Sequence, residues 1–235
     1  MCIRDSPYLR PEYINSYELS YMKYFKKGVL TTTAYFRQTD GVIQRYKIIS
    51  DSTISYITFI NLDKSQSYGL ELIIKADITK WWNVTFSANG FQTKIDGGAQ
   101  ADLQNENLSY IVKVLSNMRV WKNMDIQFTT NYMGPTATLQ GEVKQMFWMD
   151  IGFKKEIFKN ASLSLNITDI TDTRIFQIVG NNDPVFYQEM NRKRESRVAT
   201  LTFSYRFGKM SETRKSRPDR QNNGGFDGGG GDMGM

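Results

Sequence analysis

The segment NITDITDTR, Asn166 to Arg174, sets two carboxylates three residues apart, at Asp169 and Asp172. A pair of this kind can trade a proton in general acid–base chemistry or hold a hard cation between its oxygens. No glycine-punctuated metal loop surrounds it, and Asn and Asp at such positions usually bond to their own backbone in turns. The segment therefore reads as a structural turn, with no catalytic residue, no metal site and no enzyme activity expected. A second constellation, NRKRESR, places Arg192, Lys193, Arg194 and Arg197 together. Guanidinium and ammonium groups so clustered can grip phosphates or carboxylates by charge-assisted hydrogen bonds, although a solvated loop end gives the same composition and is the plainer reading. The chain has no histidine and one cysteine, Cys2, which excludes imidazole chemistry, zinc sites and a disulfide framework. No cofactor is expected. The pI near 9.2 comes from separated basic blocks without a recognition motif, so nucleic acid is not an expected partner.

The elements that carry these groups are strands. In SRVATLTFSYRFGK, Ala199, Leu201, Phe203, Tyr205 and Phe207 alternate with Thr200, Thr202, Ser204 and Arg206, and alternation with period two puts one set on each face of a strand. The same pattern recurs in YELSYMKYF (Tyr17 to Phe25), LTTTAYFRQ (Leu30 to Gln38), YGLELIIKADI (Tyr68 to Ile78) and WNVTFSANGF (Trp82 to Phe91). It returns in SYIVKVLSNMRVW (Ser109 to Trp121), MDIQFTTNYM (Met124 to Met133), MFWMDIGFKKEI (Met146 to Ile157) and ASLSLNI (Ala161 to Ile167). These make about nine strands. No run reaches the roughly 18 apolar residues of a spanning helix. The mean hydropathy of −0.47 does not argue against a membrane, because a membrane β-barrel is polar at every second position.

Connections between these strands alternate short and long. Tight turns fall at Lys27, Lys80, Asn123 and Lys159, and long connections at about 39–64, 92–108, 134–145 and 168–194. The first long connection contains VIQRYKIISDSTISYITF, itself strand-like, which would extend a hairpin beyond the main sheet. Sorting of loop length by end is what an up-and-down barrel in an outer membrane displays, with short turns on the periplasmic side. Aromatics band in the same way: Phe25, Trp81, Trp82, Trp121, Phe158 and Phe207 sit near the short turns, as an inner girdle would. Tyr68, Tyr110, Tyr132 and Trp148 lie towards the other ends.

Residues 1–6, MCIRDS, fit no strand and read as an artefactual or disordered leader, which strips Cys2 of meaning. After Gly208 the alternation stops, and 209–235 is basic and then glycine-rich, expected to hang as a disordered periplasmic tail. Residues 7–208 are left as the folded part.

The pieces LRPEYINSYELSYMKYF with LTTTAYFRQTDGVI, NLDKSQSYGLELIIKADITKWWNVTFSANGF, LSLNITDITDTR and ATLTFSYRFGK, in that order from about Pro7 to Lys209, resemble the C-terminal barrel portion of TonB-dependent outer-membrane receptors of the Bacteroidota type. The resemblance implies a barrel of roughly 22 strands around an N-terminal plug. This chain would be a fragment of it, an open, curved, antiparallel sheet that takes part in TonB-energised nutrient uptake only within the intact parent. It further implies a Gram-negative outer membrane and TonB contact only through the plug region; in that membrane Arg192, Lys193, Arg194 and Arg197 fall on the outer side, where lipopolysaccharide or an anionic substrate is their candidate contact and a solvated loop end the plainer reading. It also implies recognition by the barrel-assembly machinery of a terminal signal, here Leu201, Phe203, Tyr205 and Phe207. Two other readings of the strand pattern stand beside it: a smaller complete barrel, porin or adhesin, and a soluble carbohydrate-binding β-sandwich.

Overall fold

The computed structural model describes residues 8–51, 54–98, 104–121, 123–138, 140–182 and 186–207, with backbone alone at 48–51, 54–56, 181, 182 and 186. The leader at 1–6, with Cys2, and the tail at 209–235 lie outside these residues. Contacts divide the chain into a unit of Met1–Tyr205 and a short unit of Arg206–Met235.

Fifteen strands are described: β1 (Tyr13–Phe25), β2 (Gly28–Asp40), β3 (Ile43–Asp51), β4 (Ile54–Asn61), β5 (Lys64–Asp77), β6 (Trp82–Asp96), β7 (Gln104–Trp121), β8 (Met124–Met133), β9 (Thr136–Thr138), β10 (Gly141–Val143), β11 (Met146–Phe158), β12 (Ala161–Ile167), β13 (Ile175–Asn182), β14 (Phe186–Lys193) and β15 (Ala199–Tyr205). Nine of them form one antiparallel sheet in the order β1-β2-β5-β6-β7-β8-β11-β12-β15, in which every neighbour is the next main strand along the chain. This is the up-and-down arrangement read from the sequence. β3 and β4 form a separate hairpin, as the strand-like run in the first long connection suggested, while β14-β13-β10-β9 form a second small sheet.

Two long connections that read as loops therefore carry strands, at β9 with β10 and at β13 with β14. β6 and β7 also continue outward past the expected limits, to Asp96 and from Gln104. All of this extra structure lies at one end of the main sheet. At the other end the connections are only 26–27, 78–81, 122–123 and 159–160. The first of these depends on a glycine: a Cβ on Gly28 would stand 2.3 Å from the Lys75 carbonyl oxygen across the β2–β5 ladder, so only glycine lets β2 leave the turn that close to its neighbour.

Register gives the main sheet two faces. Tyr21, Thr32, Leu72, Ala88, Val112, Tyr132 and Phe147 stand directly opposite one another in succession across β1 to β11. Ile151 then passes the same face to Ile167 and Ala199. Beside it, Leu163 opposes Phe203 and Leu165 opposes Leu201. This apolar face has no second layer on it: Leu70 is 63% exposed, Leu201 66% and Phe203 62%. A soluble sandwich would bury such a face against another sheet, so that reading is set aside. On the opposite face lie Glu71, Lys75 and Asp77 of β5, Asn83 and Asn89 of β6, Asn117 of β7, Gln127 of β8 and Asn166 of β12. One tyrosine on this face is seated by a missing side chain. The Tyr35 hydroxyl reaches Asn89 Oδ1 at 3.2 Å, crossing Gly69, where a Cβ would stand 2.9 Å from that hydroxyl.

Buried apolar side chains among the described residues are few, as a one-layer sheet requires. Leu62 and Ile95 form a cluster with Val42, Tyr46 and Ile60, which folds the β3–β4 hairpin onto the polar face at the outer end of β6. β9 folds the same way onto β7, where Ser109 is buried and its hydroxyl lies 3.2 Å from that of Thr136.

Candidate functional site

Aromatic rings mark two levels on the apolar face. At the short-turn end these are Phe25, Trp82, Trp121 and Phe158. Strand parity alone would send Trp121 and Phe158 to the polar face, because Asn117 and Arg119 precede the first at even intervals, and Asp150 and Lys154 the second. A register shift between Arg119 and Trp121, and another between Glu156 and Phe158, corrects this by inserting Val120 and Ile157 as extra residues. Trp121 then opposes Met124 and Phe158 opposes Ala161 on the apolar side, a re-aiming of side chains that bulges perform. Trp82 is tied down by its indole N–H, which donates to Ser116 Oγ at 2.8 Å. Trp81, stacked at 6.3 Å on Trp82, instead borders an open depression on the polar face with Lys80, Asn83, Asn117 and Arg119. It thus lies beside the girdle row, stacked on one of its members.

At the other level, Tyr17, Phe36 and Tyr68 stand opposite one another, and Tyr110 stacks on Tyr132 at 5.5 Å. Trp148 does not join them. It opposes Asn131 on the polar face, and the outer row is continued by its neighbour Phe147. Tyr110 to Trp121 in β7 and Phe147 to Phe158 in β11 are each eleven residues apart. That is roughly 36 Å along an extended strand and roughly 25 Å along the membrane normal at a tilt near 45°, the height of the apolar band on an outer-membrane barrel.

The turn after β12 is a hydrogen-bonded knot around Asp169, which is 1% exposed. Its Oδ1 accepts from Thr173 N at 3.1 Å and Thr171 Oγ1 at 3.2 Å, and its Oδ2 from Arg174 N at 3.1 Å and from the Ser196 hydroxyl. Its own N–H donates to Asp150 Oδ1 at 2.9 Å. Burial opposes ionisation here, but the combined donors from Ser196, Arg174, Thr173 and Thr171 outweigh it and hold the carboxyl below the ordinary range. Asp169 and Asp172 both have positive φ, 45° and 56°, a conformation that Asp tolerates better than most residues. The two carboxylates are thus turn-formers, as the sequence indicated. Asp172 accepts from Lys193 Nζ at 2.9 Å and stands 3.8 Å from an Arg197 nitrogen. The four-cation cluster is accordingly divided: Lys193 and Arg197 lean on Asp172, with Arg194 on the same shallow surface, while Arg192 of β14 stands opposite Phe176 of β13.

Leu201, Phe203 and Tyr205 fall on the apolar row of β15. The strand ends at Tyr205, and Phe207, 88% exposed, lies two residues beyond it. Among the described residues no three His, Cys, Asp or Glu side chains gather to hold a metal. Two long-range arrangements had no periodic signature in the sequence. Arg174 lies over the Trp148 ring, 4.8 Å from its centroid. The side-chain amide of Gln140 donates to the Lys47 carbonyl at 3.1 Å and accepts from its N–H at 2.9 Å, linking β3 to the β9–β10 turn.

The chain shares its fold with part of two solved structures. One is the ferric-catecholate import receptor Fiu of Escherichia coli K12, at 16% identity and a TM-score of 0.56, over 85% of this chain and 28% of that one. The other is the copper transporter OprC, at 13% identity and a TM-score of 0.63, over 86% of this chain and 33% of that one. The chain therefore spans about a third or less of either. No curated protein matches. A family model described as outer membrane protein beta-barrel family matches residues 5–205. That match, with a one-layer antiparallel sheet whose apolar band has the height of a bilayer, places the chain in the outer membrane of a Gram-negative bacterium: it belongs to the outer membrane protein beta-barrel family.

Proposed function

We propose that the chain is one arc, about two-fifths, of a receptor barrel of the Bacteroidota type that takes up a scarce nutrient with energy from TonB. The observation that carries this reading is the pair of free edges. β1 and β15 bound the nine-stranded sheet, and among the described residues each has a neighbour on one side only. Unpaired edge strands are untenable in hydrocarbon, so the sheet functions within a larger closed barrel, consistent with its likeness to a third or less of two larger transport proteins. The apolar face meets lipid and the polar face lines the lumen. The role is non-enzymatic. Arg192, Lys193, Arg194 and Arg197 contact anionic outer-leaflet lipopolysaccharide, the row ending at Phe207 is read by the assembly machinery, and TonB engages a plug supplied by the rest of the barrel.

The test is growth of the native host, with and without the gene, on limiting iron, cobalamin, peptide or glycan sources, each in the presence and absence of TonB. The reading predicts loss of growth on one source, reproduced by removing TonB. Uptake that depends on the gene but not on TonB would favour the alternative, a smaller porin-like barrel.

A further inference from the structure

We infer that the polar face carries a seat for an organic dianion, built from Arg174 on Trp148 with Lys113 across the row; the inference rests on the uptake reading and names the class of ligand taken. Lys113, Asn131 and Trp148 stand directly opposite one another on β7, β8 and β11. Two strand spacings separate Lys113 from Trp148, about 10 Å between backbones. Arg174 arrives from the turn after β12. Its backbone N–H is pinned to Asp169 Oδ2 at 3.1 Å, and its guanidinium lies 4.8 Å from the Trp148 ring centroid.

Stacking occupies one flat side of the guanidinium and leaves the donors on its rim, which match a carboxylate or phosphate edge in two parallel bonds. Neither Arg174 nor Lys113 has an ion-pair partner among the described residues, in contrast to Arg119 on the same face, which is paired with Asp125 at 2.9 Å. The nearby carboxylates of Asp150 and Asp169 keep their charge but are directed at other groups, Asp150 accepting from Asp169 N at 2.9 Å and from Asn131 Nδ2 at 3.5 Å and Asp169 from the backbone of its own turn, and neither is ion-paired with the Arg174 or Lys113 side chain. Two unspent cations thus bracket one polar row, with an amide between them and an indole beneath one.

The place suits a ligand held after entry. Ser109, on the same face of β7 two positions outward of Ile111 and four from Lys113, is where β9 crosses at the Thr136 hydroxyl. The row therefore lies inward of that crossing. Two cationic heads on flexible stems, one rooted on β7 and the other seated over Trp148 two strands away, suit an organic anion with an acidic group at each end.

The experiment uses the full-length protein in detergent micelles, with equilibrium dialysis of 2,6-naphthalenedicarboxylate, its neutral diamide and 2-naphthoate. The seat predicts binding of the dicarboxylate at least tenfold tighter than the diamide, a loss of at least tenfold in Arg174→Gln, and a smaller loss in Arg174→Lys, which keeps charge but not the fork. Lys113→Gln weakens the dicarboxylate and leaves 2-naphthoate unchanged, so this second variant decides the matter even where Arg174→Gln fails to assemble as a heat-modifiable barrel. Equal binding of dicarboxylate and diamide, or wild-type binding in both neutral variants, overturns the seat. Binding needs no energisation. A protein that discriminates these anions but supports no TonB-dependent growth overturns the uptake reading alone, and TonB-dependent growth without anion discrimination overturns the seat alone.

Discussion

Leu72 and Ile73 are adjacent in β5 and nearly equal in hydropathy, yet they should respond oppositely to the same charge. Leu72 lies on the apolar face between Thr32 and Ala88, and Ile73 on the polar face between Thr31 and Ser87. Leu72 sits four residues inward of Tyr68 at the outer aromatic level and five from Asp77, where β5 ends, which places it near the middle of the apolar band. A cationic side chain there cannot reach either interface and costs about 2–4 kcal/mol. That is a factor of about thirty to nearly a thousand in the folding equilibrium. Ile73→Arg puts the same group into a water-filled lumen and should cost little, as should Lys75→Ala on that face. The assay is the amount of heat-modifiable, protease-resistant barrel recovered from outer membranes for each variant of the full-length protein. Equal assembly of Leu72→Arg and Ile73→Arg would refute the assignment of the faces.

Asp169→Ala removes the acceptor for two backbone N–H groups and two hydroxyls. The hydroxyls can turn to other partners, so the loss should be about 2–6 kcal/mol locally, at about 1–3 kcal/mol for each of the two backbone N–H groups left unpaired, read as rapid proteolysis between 168 and 198 with the barrel intact. Because the folded-state pKa of Asp169 is depressed, its contribution is fully present above the ordinary Asp value of about 3.9 and is lost as pH falls through the lower folded value. Protease protection of this segment should hold from neutral pH to about 4 and fade below, and fading between pH 7 and 5 would contradict the knot. Deleting Val120 removes the bulge but leaves Trp121 next to Arg119 and still opposite Met124 on the apolar side, so quenching of its fluorescence by lipid-borne bromine should persist, whereas inserting one residue after Val120 should turn Trp121 to the lumen and abolish it. Phe207→Ala should lower insertion while deletion of 210–235 leaves it nearly unchanged, and the opposite pattern would move the assembly signal into the tail.

The nine main strands were legible because each presents an alternating row to lipid or to a neighbour, and the order of loop lengths told which ends face together. The outer strands were not. β9 and β10 are three residues each, too short to show a period, and β13 with β14 is held by pairing across a connection rather than by a buried face. The bulges were hidden for another reason. Trp121 and Phe158 sit where a girdle belongs, but their parity contradicts that place until an extra residue is inserted, and an extra residue leaves no mark in composition. Trp148, grouped by level with Tyr110 and Tyr132, lies on the other face for a different reason: its register is unbroken, and it shares parity with Asp150 and Lys154. Its pairing with Arg174 joins a strand to a turn 26 residues later, a contact created by the Asp169 knot and by nothing local. The turn itself was readable, since Asn and Asp in NITDITDTR announce backbone bonding, whereas its partner Ser196 was not.

The most direct measurement is a single-nitroxide scan of β5 from Leu70 to Lys75 in the full-length protein reconstituted in lipid, comparing relaxation by oxygen, which concentrates in hydrocarbon, with relaxation by a water-soluble nickel chelate. The structure predicts strict alternation, with labels at 70, 72 and 74 answering to oxygen and labels at 71, 73 and 75 answering to nickel. Six positions without alternation, or with the two responses exchanged, would contradict a one-layer sheet that meets lipid with its Leu70–Leu72–Ile74 face.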